Sequence, residues 1–306
     1  MMSGFSRSSA AGLLAAASVL TLAACGSGSA ETAATSGKPE VVAAFYPLQW
    51  LSEQVGGSDV QVSVLTSPGV EPHDVELGIQ QVTALRDAAL TVYIKGIQPA
   101  VDDAVDADKS FDAATAVATL PAGEHAEEEE AHGHEEVSYD PHLWLDPARL
   151  ATVATKLGER LGAADPAHAQ AYKDRAAGTA ATLGALDQEI AKGLTTCKSK
   201  TLVTAHEAFG YLADRYKLKQ IGITLDPETE PSPARLSEVA KLARAEGVST
   251  IFTETLVNPK VAEVLANEVG AKTAVLDPLE SKPSGDYLSA MRDNLKTLQT
   301  ALGCTA

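Results

Sequence analysis

Seven histidines occur in the 306 residues, and three of them stand where an α/β chain gathers ligands. His73 lies in Gly69-Val70-Glu71-Pro72-His73-Asp74, shortly after the alternating run Val60-Gln61-Val62-Ser63-Val64-Leu65. His142 lies in Asp140-Pro141-His142-Leu143-Trp144-Leu145-Asp146-Pro147, and His206 follows Thr204-Ala205 at the end of a strand-like run. Asp277 closes another run in the same way. Imidazole nitrogens joined by a carboxylate oxygen can hold a divalent cation, and open α/β sheets bind ligands beyond the carboxyl ends of their strands. Each residue alone also has an ordinary explanation. His73 could cap a helix beginning at Asp74, His142 could pack beside Trp144, and His206 could bond to a neighbouring loop. The spacing does not decide between these readings. Pro72 and Pro141 stiffen the approach to two of the histidines, because the proline ring fixes φ. His168, in the first turn of a later helix, reads as surface.

A second group of possible ligands sits in residues 124–136, which hold seven Glu and the histidines His125, His132 and His134 without apolar periodicity. This pattern predicts an acidic loop offering auxiliary, weak cation capture.

The elements that must position these groups alternate between strand and helix. Strand patterns are expected at 41–46, 60–65, 90–94 and 111–117, with helices at 74–87 and 99–107 between them. Asp146-Pro147 and Asp165-Pro166 each place a capping acid before a proline, a helix-start signal. The second opens a helix over 166–192 that would span roughly 40 Å at 1.5 Å per residue. Beyond it, strands at 200–204, 219–224, 250–253 and 272–276 alternate with helices starting near Ala208, Pro233, Pro259 and Asp286. The predicted fold class is α/β, with two α/β lobes of parallel sheet joined by one long rigid helix. The expected limits are 39–145 for the first lobe, 146–194 for the helical connection and 195–306 for the second lobe.

Composition removes other classes. Lys and Arg number 24 against 41 Asp and Glu, a net charge of −17, and no basic surface for nucleic acid is evident. The only long apolar run, near the N-terminus, falls short of the roughly 20 residues of a spanning helix. Residues 1–24 read as a secretory signal with Arg7, a small apolar run and Leu22-Ala23-Ala24 before Cys25. This ending resembles that of bacterial lipoproteins, which implies a lipid anchor on Cys25 followed by a Gly- and Ser-rich tether over 25–38. An ordinary signal followed by a cysteine is the alternative. With Cys25 set aside, Cys197 and Cys304 form an even pair in an oxidising compartment, and a disulfide between them is expected.

Four motifs in order carry a family resemblance: Pro72-His73-Asp74-Val75-Glu76, Asp140-Pro141-His142-Leu143-Trp144-Leu145-Asp146-Pro147, His206-Glu207-Ala208-Phe209-Gly210-Tyr211 and Glu230-Pro231-Ser232-Pro233. From about residue 40 to the C-terminus the chain resembles the metal-receptor lipoproteins of zinc and manganese ABC importers. The resemblance implies a metal in the inter-lobe cleft, with His73, His142 and His206 on its imidazole positions and Asp277 on its carboxylate position. Glu280 or a water are alternatives to Asp277, and Asp74 and Glu207 are candidates to orient the imidazoles. Three His and one carboxylate suit tetrahedral Zn²⁺, whereas the manganese receptors typically carry a carboxylate where His206 stands. The implied function is capture of zinc outside the membrane and delivery to an ABC permease, by a monomer that binds no nucleic acid and catalyses nothing. A receptor for manganese or another divalent metal, a metal-binding surface adhesin and a zinc hydrolase are the competing readings. Imidazole ligation implies that affinity falls through roughly pH 6 to 5.

Overall fold

The computed structural model describes residues 37–122 and 137–305. The signal, Cys25, most of the tether and the stretch with His125, His132 and His134 lie outside them. The first lobe contains β1 (Glu40–Ala43), α1 (Tyr46–Gly56), β2 (Gln61–Val64), α2 (Ile79–Asp87), β3 (Leu90–Tyr93), α3 (Pro99–Asp102) and β4 (Ser110–Asp112). Two long helices follow, α4 (Pro147–Ala164) and α5 (Ala169–Gly193). The second lobe contains β5 (Thr201–His206), α6 (Gly210–Tyr216), β6 (Lys219–Thr224), α7 (Pro233–Ala245), β7 (Thr250–Thr253), α8 (Lys260–Val269), β8 (Lys272–Val275) and α9 (Tyr287–Leu302). Both sheets are parallel and share one permutation, β2-β1-β3-β4 and β6-β5-β7-β8. Strand order therefore reverses between β1 and β3 and between β5 and β7, the positions where a crevice opens at the carboxyl ends.

Several expected elements are shorter in the structure. The run 111–117 is strand only through Asp112, whose carboxylate accepts the Ala114 N–H and turns the chain into a 3₁₀ turn. The helix expected from Asp74 starts at Ile79, where Gln81 accepts the Gly78 N–H and donates to the Leu65 carbonyl, tying the start of α2 to the end of β2. The strand expected to reach Tyr46 stops at Ala43, because Pro47 sits in the first turn of α1. Likewise α3 is a single turn, with the Asp102 carboxylate drawn back to the Gly96 N–H. Asp146 caps α4 as expected, accepting the N–H groups of Ala148 and Arg149.

Helices α4 and α5 pack closely enough that a Cβ at Gly158 would lie 2.7 Å from the Ala176 Cβ. Helix α5 is fixed at both ends. Arg175 donates to the Val55 and Gly56 carbonyls at the end of α1, while Asp187 receives Arg215 and Glu189 receives Arg292 from the second lobe. The lobes also share one apolar core. Within it the Trp144 indole donates to the Pro278 carbonyl at 2.7 Å and the Tyr287 hydroxyl to the Trp144 carbonyl at 2.6 Å. Trp50 stacks on Tyr287 at 4.8 Å, and Phe45 meets Trp144 edge-on at the same distance. A dry seam of this kind resists wide opening, since separation would expose aromatic surface and strand buried donors.

Cys197 and Cys304 are disulfide-bonded across 107 residues, joining the end of α9 to the segment before β5. Replacing both with Ser is expected to lower the unfolding free energy by about 2–4 kcal/mol, measured by urea titration. An unchanged urea midpoint would contradict this contribution.

Candidate metal centre

His206 is the last residue of β5, and Glu254 follows β7 directly, so the switch point of the second sheet supplies both. His142 enters from the segment before α4, and His73 from the loop between β2 and α2. Glu280 arrives on the loop after β8. One ligand atom from each of His73, His142, His206 and Glu280 lies within 4.8 Å of the others. The Glu280 Oε1 atom is 3.4 Å from His73 Nε2, 3.7 Å from His142 Nε2 and 3.6 Å from His206 Nε2. Bonds of about 2.0 Å at tetrahedral angles separate ligand atoms by about 3.3 Å, close to the three Glu280–Nε2 distances. His206 is fully buried and Glu280 is 1% exposed. Yet His142 Nε2, His206 Nε2 and Glu280 Oε2 lack hydrogen-bond partners. Buried polar atoms left unpaired are costly, and a cation at their common centre satisfies them.

Asp277 does not join this group. Its carboxylate turns back to accept the Leu279 N–H at 2.8 Å, while Asn294 accepts the Asp277 N–H and donates to its carbonyl. The chain then passes through Leu279 at φ 62°, a left-handed conformation that costs a branched side chain energy. This turn, held also by Trp144 on Pro278, aims Glu280 at the three imidazoles. Asp277 thus shapes the loop, and its position at the strand end made it look like the ligand.

The residues that orient the imidazoles also differ from those expected. Asp140 Oδ1 accepts both the His142 N–H at 3.0 Å and its Nδ1 at 2.8 Å. Glu254 accepts the His206 N–H on one oxygen at 3.1 Å and Nδ1 on the other at 2.7 Å. Glu71 accepts the His73 N–H at 2.8 Å. The repeated acid-Pro-His pattern at 71–73 and 140–142 was the available sequence signal for Glu71 and Asp140. Glu254 was detectable only as a strand-end acid. Asp74 is exposed, and Glu207 lies 3.7 Å from Arg235. Ser232 in the Glu-Pro-Ser-Pro motif caps α7. His168 is exposed beside Asp165.

Charge is distributed unevenly over the metal-free cluster. Burial opposes ionisation of Glu280, but His206 and His73 outweigh it and hold the carboxyl well below its usual range. Burial also opposes the imidazolium of His206, yet Glu254 and Glu280 raise it well above 6.5. His73 is raised in the same way by Glu280 and Glu71, whereas burial prevails at His142 and lowers it. Burial pushes Glu71 up to about 7. Without metal, the imidazoles thus favour the ionised Glu280, and neighbouring carboxylates favour the protonated forms of His73 and His206.

Two α/β lobes with parallel sheets, joined by long helices, thus bring three imidazoles and one carboxylate together where they could hold a metal ion. Residues 41–301 match the family described as "Zinc-uptake complex component A periplasmic", and the chain belongs to it. The zinc-binding lipoprotein AdcA of Streptococcus pneumoniae is 35% identical over 302 residues, covering 94% of this chain and 60% of that protein. The chain thus spans 60% of the length of this longer relative. The high-affinity zinc uptake system protein ZnuA of Bacillus subtilis is 33% identical over 304 residues, covering 94% of this chain and 95% of that one. In structure, the laminin-binding protein Lmb of Streptococcus agalactiae, described as having adhesin and metal-transporting activity, has a TM-score of 0.78 at 34% identity. That comparison covers 87% of this chain and 100% of Lmb.

The loop account predicts that Asn294→Ala, which leaves the Asp277 N–H and carbonyl unpaired, costs about 1–3 kcal/mol in urea unfolding. Zinc affinity should fall about tenfold as Glu280 loses its support. Full affinity in the folded variant would show that the turn does not position Glu280.

Proposed function

We propose that this protein is the extracytoplasmic zinc receptor of an ABC importer, holding Zn²⁺ with His73, His142, His206 and Glu280 and passing it to a membrane permease. The observation that carries this reading is the cluster itself, with Glu280 Oε1 3.4–3.7 Å from the Nε2 atoms of His73, His142 and His206 and one ligand atom of each of the four residues within 4.8 Å of the others. Nitrogen-rich ligation favours zinc over manganese. Four protein ligands fill a tetrahedral shell, which speaks against the open coordination position of a zinc hydrolase, and the protein acts without catalysing a reaction. In this reading Cys25 carries the lipid anchor, and the protein works as a monomer at the outer membrane face. No helix among the described residues is long and apolar enough to cross a membrane. His125, His132 and His134 serve as an auxiliary, weaker capture site. The shared aromatic core favours release by rearrangement of the loops bearing His73 and Glu280 over wide separation of the lobes. These loops touch directly, because the Gly69 N–H donates to the Ser281 hydroxyl at 2.7 Å.

Competitive titration with a chromophoric zinc chelator tests the assignment. One tight site per chain is expected, retained when residues 124–136 are deleted and lost in His206→Ala. Tight binding that follows the deleted segment and ignores His206 would overturn the cleft site.

Protons should leave as zinc enters. Burial opposes both imidazolium ions, yet neighbouring carboxylates raise His73 above 6.5 and His206 well above it, so protons compete with metal at these atoms at higher pH than at an ordinary imidazole. Affinity then begins to fall above pH 6.5 and continues to fall on acidification, earlier than ordinary imidazoles would imply, by about tenfold per pH unit for each proton displaced. Calorimetry in buffers of differing ionisation enthalpy reads the released protons. Binding heats independent of buffer would contradict the charge balance.

A further inference from the structure

Glu254 and Asp140 perform similar work with different atoms. At Asp140 a single oxygen, Oδ1, accepts both the backbone N–H and the Nδ1–H of His142. At Glu254 the two donors are divided, with the His206 N–H on Oε1 and Nδ1 on Oε2. Both His206 and Glu254 are buried, so water is poorly placed to substitute for a lost acceptor.

We propose that Glu254 is the positioning residue that fixes the tautomer of His206, holding its proton on Nδ1 so that Nε2 presents a lone pair to the metal. The proposal rests on the zinc-receptor reading and deepens it. A backbone N–H is always a donor, whereas a neutral imidazole carries its proton on either nitrogen. An amide in place of the Glu254 carboxylate supplies one acceptor and one donor where two acceptors are needed. Its oxygen satisfies the fixed backbone N–H, and its NH₂ then faces Nδ1. The imidazole answers by moving its proton to Nε2, the atom that must bind metal. In Asp140→Asn the amide oxygen takes the place of Oδ1 and serves both donors, so His142 keeps its productive tautomer. Two substitutions that each remove one carboxylate charge beside a ligand imidazole should therefore have unequal effects.

The test is chelator-competition affinity for Zn²⁺ on the full chain, Glu254→Gln and Asp140→Asn, with folding checked by circular dichroism. Glu254→Gln is expected to weaken binding about 100-fold and Asp140→Asn by less than about 10-fold. Equal losses, or a larger loss in Asp140→Asn, would overturn the proposal by reducing both residues to charge or packing. Should Glu254→Gln fail to fold, the unmutated zinc-loaded protein labelled with ¹⁵N-histidine decides instead. Long-range ¹H–¹⁵N correlations must place the His206 proton on Nδ1, and a proton on Nε2 overturns the assignment. An unmutated chain that takes up no stoichiometric zinc would remove the receptor reading itself, an outcome distinct from tight zinc binding with equal amide penalties.

Discussion

A carboxylate with 1% exposure, facing three imidazoles, is the constraint around which this molecule is arranged. An isolated buried charge is expensive, and removing the partners of a buried ion leaves an uncompensated charge. Glu280 is tolerated because His73 and His206 stabilise its ionised form and because a divalent cation can take their protons' place. Its placement depends in turn on the left-handed turn at Leu279, the Asn294 brace and the Trp144 indole on Pro278. Trp144 belongs to the core shared by both lobes, so the geometry of the site and the rigidity of the fold rest partly on the same contacts.

Two sheets of identical permutation contribute in different ways. The second supplies His206 and its carboxylate from adjacent strands at the switch point. The first sends His73 out on a loop, held at its own N–H by Glu71 and at its Nε2 by Glu280. One ligand is thus built into a strand end, and another sits on a segment that can move without disturbing a sheet.

The parallel strands of the second lobe were readable because short runs with apolar and β-branched residues are bounded by helix starts with Ser-Pro or Asp signals, as at Ser232 and Asp286. The shortened elements of the first lobe were not. At Asp112 a side-chain hydrogen bond ends the strand and at Gly78 one sets where the helix begins, and such bonds leave no periodic trace. The three histidines that the structure brings together were legible from position and resemblance. Glu280, given above only as an alternative to Asp277, is the carboxylate beside the three imidazoles, because Asp277 occupies the strand end while the turn that delivers Glu280 depends on Asn294, far along the sequence in α9. Glu254 carried only the weak signal of a strand-end acid, because the imidazole it holds is 48 residues away.

The most direct test of the central claim is a crystal structure of the zinc-loaded protein with the ion located by anomalous scattering at the zinc edge. The account predicts one peak about 2.0 Å from the Nε2 atoms of His73, His142 and His206 and from the Glu280 carboxylate, with Asp277 still on the Leu279 N–H. Zinc held by Asp277, or centred outside these four residues, would contradict it.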